Sequence, residues 1–487
     1  MLFNSYEFIF VFLPITFFIY FYLNHKRLTE ASKGFLVCSS LFFYSWWNVA
    51  YLPIILSSMV FNYVIGRSLN KTCKDKSKGF SKKSILIFGI VFNLSLLGYF
   101  KYTDFLIENF NLAFSSDADL LHLALPLAIS FFTFQQIAYL VDSYRQETKE
   151  YDFLNYALFV TFFPQLIAGP IVHHKEMMPQ FAKTRNKVKN YRNIAMGLFI
   201  FSIGLFKKVV IADTFAVWAT NGFDVATTLN LFEAWATSLS YTFQLYFDFS
   251  GYTDMAIGLA LLFNIRLPVN FNSPYKATNI QDFWRRWHIT LSRFLRDYVY
   301  IPLGGNRKGG FRTYNNLMAT FVLGGLWHGA AWTFVFWGFL HGLALIIQRL
   351  WSKLGIKLWT WLAWLITFNF VNITWVFFRA KEWDDALKVL NSMFSLDNVV
   401  LHIKLKDKLL FLSQYNVEFG TMFGVQGTSF VAVWLAFTLL LVISFKNTIQ
   451  LSSALRLNTY YALITALLFV IALYDMNKIS EFLYFNF

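Results

Sequence analysis

Charge is scarce in this sequence. Only 14% of its 487 residues are Asp, Glu, Lys or Arg, against roughly one quarter in soluble domains. Cysteine is scarcer still: Cys38 lies in an apolar segment and Cys73 in a basic one, which leaves neither a disulfide framework nor a thiolate metal site. There is no HExxH, no Cys/His ligand spacing, no phosphate-binding glycine loop and no GxSxG elbow, so no metal site and no covalent nucleophile is expected. Internal repeats and low-complexity tracts are missing too. The N-terminal MLFNSYEFIFVFLPITFFIYFYLNHKR lacks a basic leader and a small-residue cleavage site, so it reads as a retained first span.

What fills the chain instead is apolar. Hydrophobic residues make up 57% and aromatics 21%, with a mean hydropathy of +0.47. Windows long enough to cross a bilayer, roughly 20 helical residues, recur near 8–23, 35–65, 84–100, 120–141, 153–172, 194–219, 229–263, 314–350, 358–378, 427–445 and 459–474. The expected fold is all-α: a polytopic membrane protein of about eleven to thirteen membrane elements. Stretches 42–53 and 272–310 are expected to be re-entrant or interfacial. One unit spans 1–487, with an extramembrane insertion at about 380–424.

A net charge of +15 raises the question of nucleic acid. The basic residues, however, sit in short clusters between apolar runs: seven from Arg67 to Lys83, five from Lys183 to Arg192, and a third set from Arg266 to Arg312. That pattern excludes a nucleic-acid face and marks cytoplasmic loops of a membrane protein.

Residues 283–298 give a two-faced wheel when drawn as one helix. Arg285, Arg296, Arg293 and Arg286 share an arc of about 100°, opposite Trp284, Trp287, Leu291, Phe294, Leu295 and Tyr298. Two readings stand: an interfacial helix on anionic lipid headgroups, or a seat for a phosphate-rich ligand such as coenzyme A. His288 lies at the edge of the apolar arc, either as a bonded structural residue or as a group facing an internal cavity.

Gly324 to Gly342 reads GGLWHGAAWTFVFWGFLHG. An ionisable group in such a run faces a bundle interior or wet cavity, which makes His328, with Trp327 beside it and glycines around it, a candidate general base. His341 is thirteen positions on, about 220° around a regular helix, and is expected to point elsewhere. Asp248 and Asp254 interrupt QLYFDFSGYTDMAIGL. They are expected to line the same cavity or to pair with arginines, with structural ion pairs between helices as the alternative.

Three of these stretches, QLYFDFSGYTDMAIGL, DFWRRWHITLSRFLRDYVYIPLGGNR and GGLWHGAAWTFVFWGFLHG, resemble the membrane-bound O-acyltransferase superfamily and its bacterial alginate O-acetyltransferase branch. SFFTFQQIAYLVDSYR, FFPQLIAGPIVHHKEM and FIFVFLPITFFIYF extend the likeness over nearly the whole chain. The resemblance implies a helical fold around a tunnel, cytoplasmic acetyl-CoA as donor substrate with no tightly bound cofactor, and site histidines at His328 and His288. It also implies the bacterial inner membrane, a periplasmic SGNH-type partner and an alginate-like polysaccharide acceptor. Peptidoglycan, cellulose or a teichoic-acid carrier are alternative acceptors, and a proton-coupled transporter or polymer exporter is the rival from another class.

Overall fold

The computed structural model describes residues 1–71, 81–148, 152–476 and 483. Cys73 and three residues of the basic cluster between Arg67 and Lys83 (Lys74, Lys76 and Lys78) lie outside the described residues.

Apolar runs become helices and polar caps end them. A π-helical turn (Phe8–Phe12) leads into α1 (Leu13–His25), and α2 (Thr29–Ser45) returns beside it. The stretch 42–53 is a turn between helices and not a separate re-entrant element: the Asn48 side chain accepts from Ala50 N at 2.9 Å, and α3 (Leu52–Lys71) starts at once. Next comes α4 (Lys82–Phe114), about 50 Å long at 1.5 Å per residue and therefore longer than the hydrocarbon layer is thick. It is followed by α5 (Ile129–Tyr144), α6 (Phe153–Thr161), α7 (Phe163–Leu166) and α8 (His174–Ala182).

The centre of the bundle is α11 (Leu231–Leu262), buried along most of its length and started by a capping box between Asn230 and Glu233. It packs on α9 (Tyr191–Phe206) and α10 (Asp213–Thr220), which are joined by a π-helical bulge at Lys207–Ala212. Two glycine pairs set how closely α9 and α11 approach. A Cβ on Gly204 would lie 2.6 Å from the Gly251 carbonyl oxygen, and one on Gly258 would lie 2.6 Å from that of Gly197; small residues at such crossings let helices in membranes touch backbone to backbone.

Short α12 (Ile280–Arg286) and α13 (Ile289–Leu295) precede the hairpin of α14 (Gly309–His328) and α15 (Trp332–Leu354). After α16 (Thr360–Arg379) come α17 (Trp383–Phe394), β1 (Val399–His402), α18 (Lys406–Leu409) and β2 (Val417–Gly420), which occupy the 380–424 segment. The two strands pair in parallel with Val399 opposite Val417. The chain continues through α19 (Phe430–Ser444), α20 (Thr448–Ser453) and α21 (Thr459–Asp475).

Six helical segments among the described residues are long and apolar enough to cross a membrane: Phe8–His25, Val49–Asn70, Lys82–Phe114, Tyr191–Val225, Trp332–Leu354 and Thr360–Arg379. The protein is an all-α polytopic membrane protein. Neighbouring long helices alternate in direction, so loops 183–190 and 263–308 meet at one end, where Gln180 bonds the Arg266 backbone in both directions (2.8 and 3.0 Å). Turn 329–331 and segment 380–424 fall at the other.

Candidate active site

The helix drawn over 283–298 does not exist as one piece. Trp287 is extended and His288 is left-handed (φ 42°, ψ 54°), so α12 stops and α13 starts on either side of the imidazole. A left-handed histidine persists only where its surroundings fix it, and here Asn270 does so. Its side-chain oxygen accepts from Thr290 N (3.1 Å) and Thr290 Oγ1 (3.0 Å) and lies 3.1 Å from His288 Nδ1. Its backbone carbonyl accepts from Ile289 N at 3.0 Å.

These contacts assign the tautomer. The Thr290 N–H identifies the Asn270 atom as oxygen, so His288 Nδ1 must carry the hydrogen and Nε2 the lone pair. Nε2 is buried with no hydrogen-bond partner among the described residues. The ring packs edge-on to Phe249 (4.7 Å between centroids) and Trp327 (6.5 Å).

His328 is the last residue of α14. Its ring is walled by Trp327, Trp337 and Phe378 at 4.9, 5.3 and 5.0 Å, so Trp327 lies against both imidazoles. The turn that follows depends on Gly329, where a Cβ would meet the Phe334 ring at 2.1 Å. A lysine that sequence reasoning missed caps this helix end: Lys101 of α4 donates from Nζ to the Trp327 and His328 carbonyls (2.6 and 3.0 Å), and Tyr102 OH donates to that of Leu326 (2.7 Å). Terminal carbonyls lack partners within their own helix and carry the negative end of its dipole, so a cation is the fitting cap.

Two cavities flank this turn. One, of about 210 Å³, is lined by Lys101, Asp104, Gly329 and Ala330. The other, of about 800 Å³, lies toward α16 and is lined by Asp213, Gln244, Phe334, Phe378, Arg379 and Lys381. Phe378 thus touches both His328 and the larger cavity.

His341 does not sit on a continuation of the His328 helix. The chain reverses at Gly329–Ala331, and α15 brings Trp337 against both rings, 4.8 Å from His341. Both His341 nitrogens are occupied. Nδ1 accepts from Trp284 Nε1 (3.2 Å), while Nε2 lies 3.1 Å from Thr374 Oγ1, a hydroxyl that itself donates to Val371 O. A satisfied imidazole of this kind is a structural element.

The carboxylates pair with lysines and not with arginines. The π bulge after α9 turns Lys207 toward Asp254 (2.6 Å) and Lys208 toward Asp248 (2.8 Å) and Asp213 (2.7 Å). Asp254 also accepts from Thr448 Oγ1 at 2.7 Å. Asp248 and Asp254 thus join α11 to its neighbours.

Nor do the four arginines form one surface. Arg286 pairs with Asp282 (2.9 Å), Arg293 clasps Glu176 with two nitrogens (2.7 and 3.0 Å), and Arg296 pairs with Asp297 (2.7 Å). Arg285 is exposed. Beside them, Tyr298 OH donates to Asp142 (2.7 Å) and lies 3.0 Å from His173 Nδ1; burial first, and the Asp142 charge next, hold this phenol above its usual range.

The membrane-bound O-acyltransferase family model matches residues 43–381, a span that holds His288, His328, Asn270 and Lys101. The chain is 51% identical to the peptidoglycan O-acetyltransferase of Helicobacter pylori, over 100% of this chain and 98% of that one. It is 42% identical to the "probable alginate O-acetylase" of Pseudomonas aeruginosa over 81% of this chain and 75% of that one. It is 29% identical to the teichoic acid D-alanyltransferase of Bacillus subtilis over 52% and 69%. With two imidazoles enclosed in a multi-pass helical bundle and relatives that all transfer acyl groups, this chain belongs to the membrane-bound O-acyltransferase family and is an acyltransferase.

Proposed function

We propose that this protein takes acetyl groups from acetyl-CoA at its basic, cytoplasmic end and passes them across the bacterial inner membrane to hydroxyls of a cell-envelope glycan, with peptidoglycan as that glycan. The observation that carries the choice is the 51% identity to a peptidoglycan O-acetyltransferase along essentially the full length of both chains. An alginate-like polymer is the second reading, supported by the alginate O-acetylase of Pseudomonas aeruginosa at 42%.

In this reading the acceptor oxygen attacks the thioester carbonyl, the carbon–sulfur bond breaks, and the hydroxyl proton ends on the departing thiol. His328 takes that proton as general base. His288 presents its Nε2 lone pair to the buried space, its tautomer held by Asn270, and serves to orient or relay. Trp327, in contact with both rings, walls the passage. Asp248 and Asp254 keep the helices around it in register through their lysine pairs. The larger cavity beside Phe378 receives the acceptor, or the side chain of a periplasmic SGNH-type partner that carries the acetyl group onward.

Mass spectrometry of muropeptides from cells with and without the protein tests the acceptor. Loss of O-acetylated muropeptides, restored by wild type and not by His328→Ala, is the expected result. Unchanged muropeptides alongside a changed exopolysaccharide would transfer the assignment to the second reading.

A further inference from the structure

We infer that the phosphorylated nucleotide end of the acyl donor seats in a basic pocket formed by Lys183, Arg185 and Arg266 at the end of the bundle where loops 183–190 and 263–266 meet. The inference rests on the acetyl-CoA reading above and assigns its phosphate contacts to residues outside the arginine-rich segment.

The first observation is electrostatic. Three of the four arginines between residues 285 and 296 are already bound to carboxylates. Lys183, Arg185 and Arg266, by contrast, have no ion pair among the described residues, and all three are exposed. They line one cavity of about 370 Å³, a size within the usual range for small-molecule sites. Glu176, on the same wall, does not neutralise them, because both of its oxygens are held by Arg293.

The second observation is that the pocket is framed in advance. Asn264, left-handed at φ 62°, donates from Nδ2 to the Asn186 and Val188 carbonyls (3.0 and 2.8 Å) and accepts from Asn193 (2.9 Å). Gln180 holds the Arg266 backbone from both sides and accepts at its own carbonyl from Asn186 Nδ2 (2.9 Å). Interlocked amides thus fix the backbone that carries the cations, which lowers the ordering cost of binding. Guanidinium groups on a fixed frame suit phosphate esters, whose oxygens they meet in pairs.

The third observation is reach. Glu176 of the pocket wall is held by Arg293 of α13, and His288 caps that helix five residues earlier, about 7.5 Å of helical rise away. Phosphates held at the pocket leave the thioester arm free to run along α13 toward His288.

A phosphate-binding pocket beside a membrane can also serve lipid headgroups, and the test separates the two sources. Full-length protein in nanodiscs of neutral lipid is titrated with CoA and with S-acetylpantetheine, which lacks the nucleotide and its phosphate ester at that end. Arg185→Gln and Arg266→Gln should each raise the Kd for CoA about tenfold or more, the loss expected of one charge-assisted phosphate contact. Binding of S-acetylpantetheine should not change. Lys183→Gln, on an exposed side chain, should act in the same direction without affecting folding. Unchanged CoA affinity in the variants overturns the pocket alone, as does equal weakening of both ligands or an effect confined to nanodiscs of anionic lipid. A wild-type protein that binds neither compound overturns the acetyl-CoA reading along with it.

Discussion

Replacing Asn270 by Ala removes the oxygen on which the α12–α13 break depends. Asn270, His288 and Thr290 are all buried, the first two completely. Thr290 Oγ1 can turn elsewhere, since it also accepts from Ile171 N at 3.1 Å, but Thr290 N–H and His288 Nδ1–H are left facing a methyl group. An unsatisfied buried donor costs about 1–3 kcal/mol, so with two of them the variant should lose about 2–6 kcal/mol and unfold at a clearly lower temperature in detergent. Turnover per folded molecule should fall more steeply, by about a hundredfold, the scale of losing a positioned proton-transfer group, because the imidazole is then free to change tautomer and rotamer. Asn270→Asp keeps an acceptor against Nδ1–H and should retain both the fold and most of the activity. Thermal unfolding read alongside acetyl-CoA consumption decides the matter. An Asn270→Ala protein with wild-type midpoint and wild-type turnover, or Ala and Asp variants that behave alike, would refute the reasoning.

Further outcomes follow from other contacts. Lys101→Met leaves the Trp327 and His328 carbonyls without their charged donor and should cost about 3–6 kcal/mol at roughly 1.5–3 kcal/mol for each of the two charge-assisted bonds, with Lys101→Arg recovering part of it in the same unfolding assay. Lys208→Met strands Asp213 and Asp248 inside the bundle and should destabilise by about 3–5 kcal/mol, whereas Lys208→Met combined with Asp213→Leu and Asp248→Leu should regain much of the loss. Gly204→Ala forces α9 away from α11 and should cost about 1–3 kcal/mol. Gly34→Ala, whose added methyl meets nothing within 4 Å, should instead gain about 0.5–1 kcal/mol.

His328 is legible because an imidazole is rare in an apolar run, whereas His288 lies in a charged segment and is singled out by its place at the edge of the apolar arc and by the family resemblance. What their neighbours do is not legible. Asn270 is eighteen residues before His288 in an unremarkable extended stretch, and only the folded chain shows that one side-chain oxygen gathers three donors. No glycine or proline announces the break at Trp287–His288, so a continuous wheel groups four arginines of which three face different carboxylates and Arg285 faces outward. His341 was placed by assuming one helix, whereas the reversal at Gly329–Ala331 brings its ring onto the same tryptophan as His328. Two signals were present and unused. Lys101 is a lone cation within the apolar reach of α4, and Lys207–Lys208 is a basic pair in the middle of a hydrophobic segment; each was a sign of a buried partner.

The account turns on His328 as the base, and acetyl-CoA consumption by reconstituted wild-type and His328→Ala proteins tests it most directly. With the glycan acceptor or the periplasmic partner supplied, the variant should unfold at the wild-type temperature yet turn over about 10²–10⁴-fold more slowly. A folded His328→Ala protein that consumes acetyl-CoA at the wild-type rate would contradict the account.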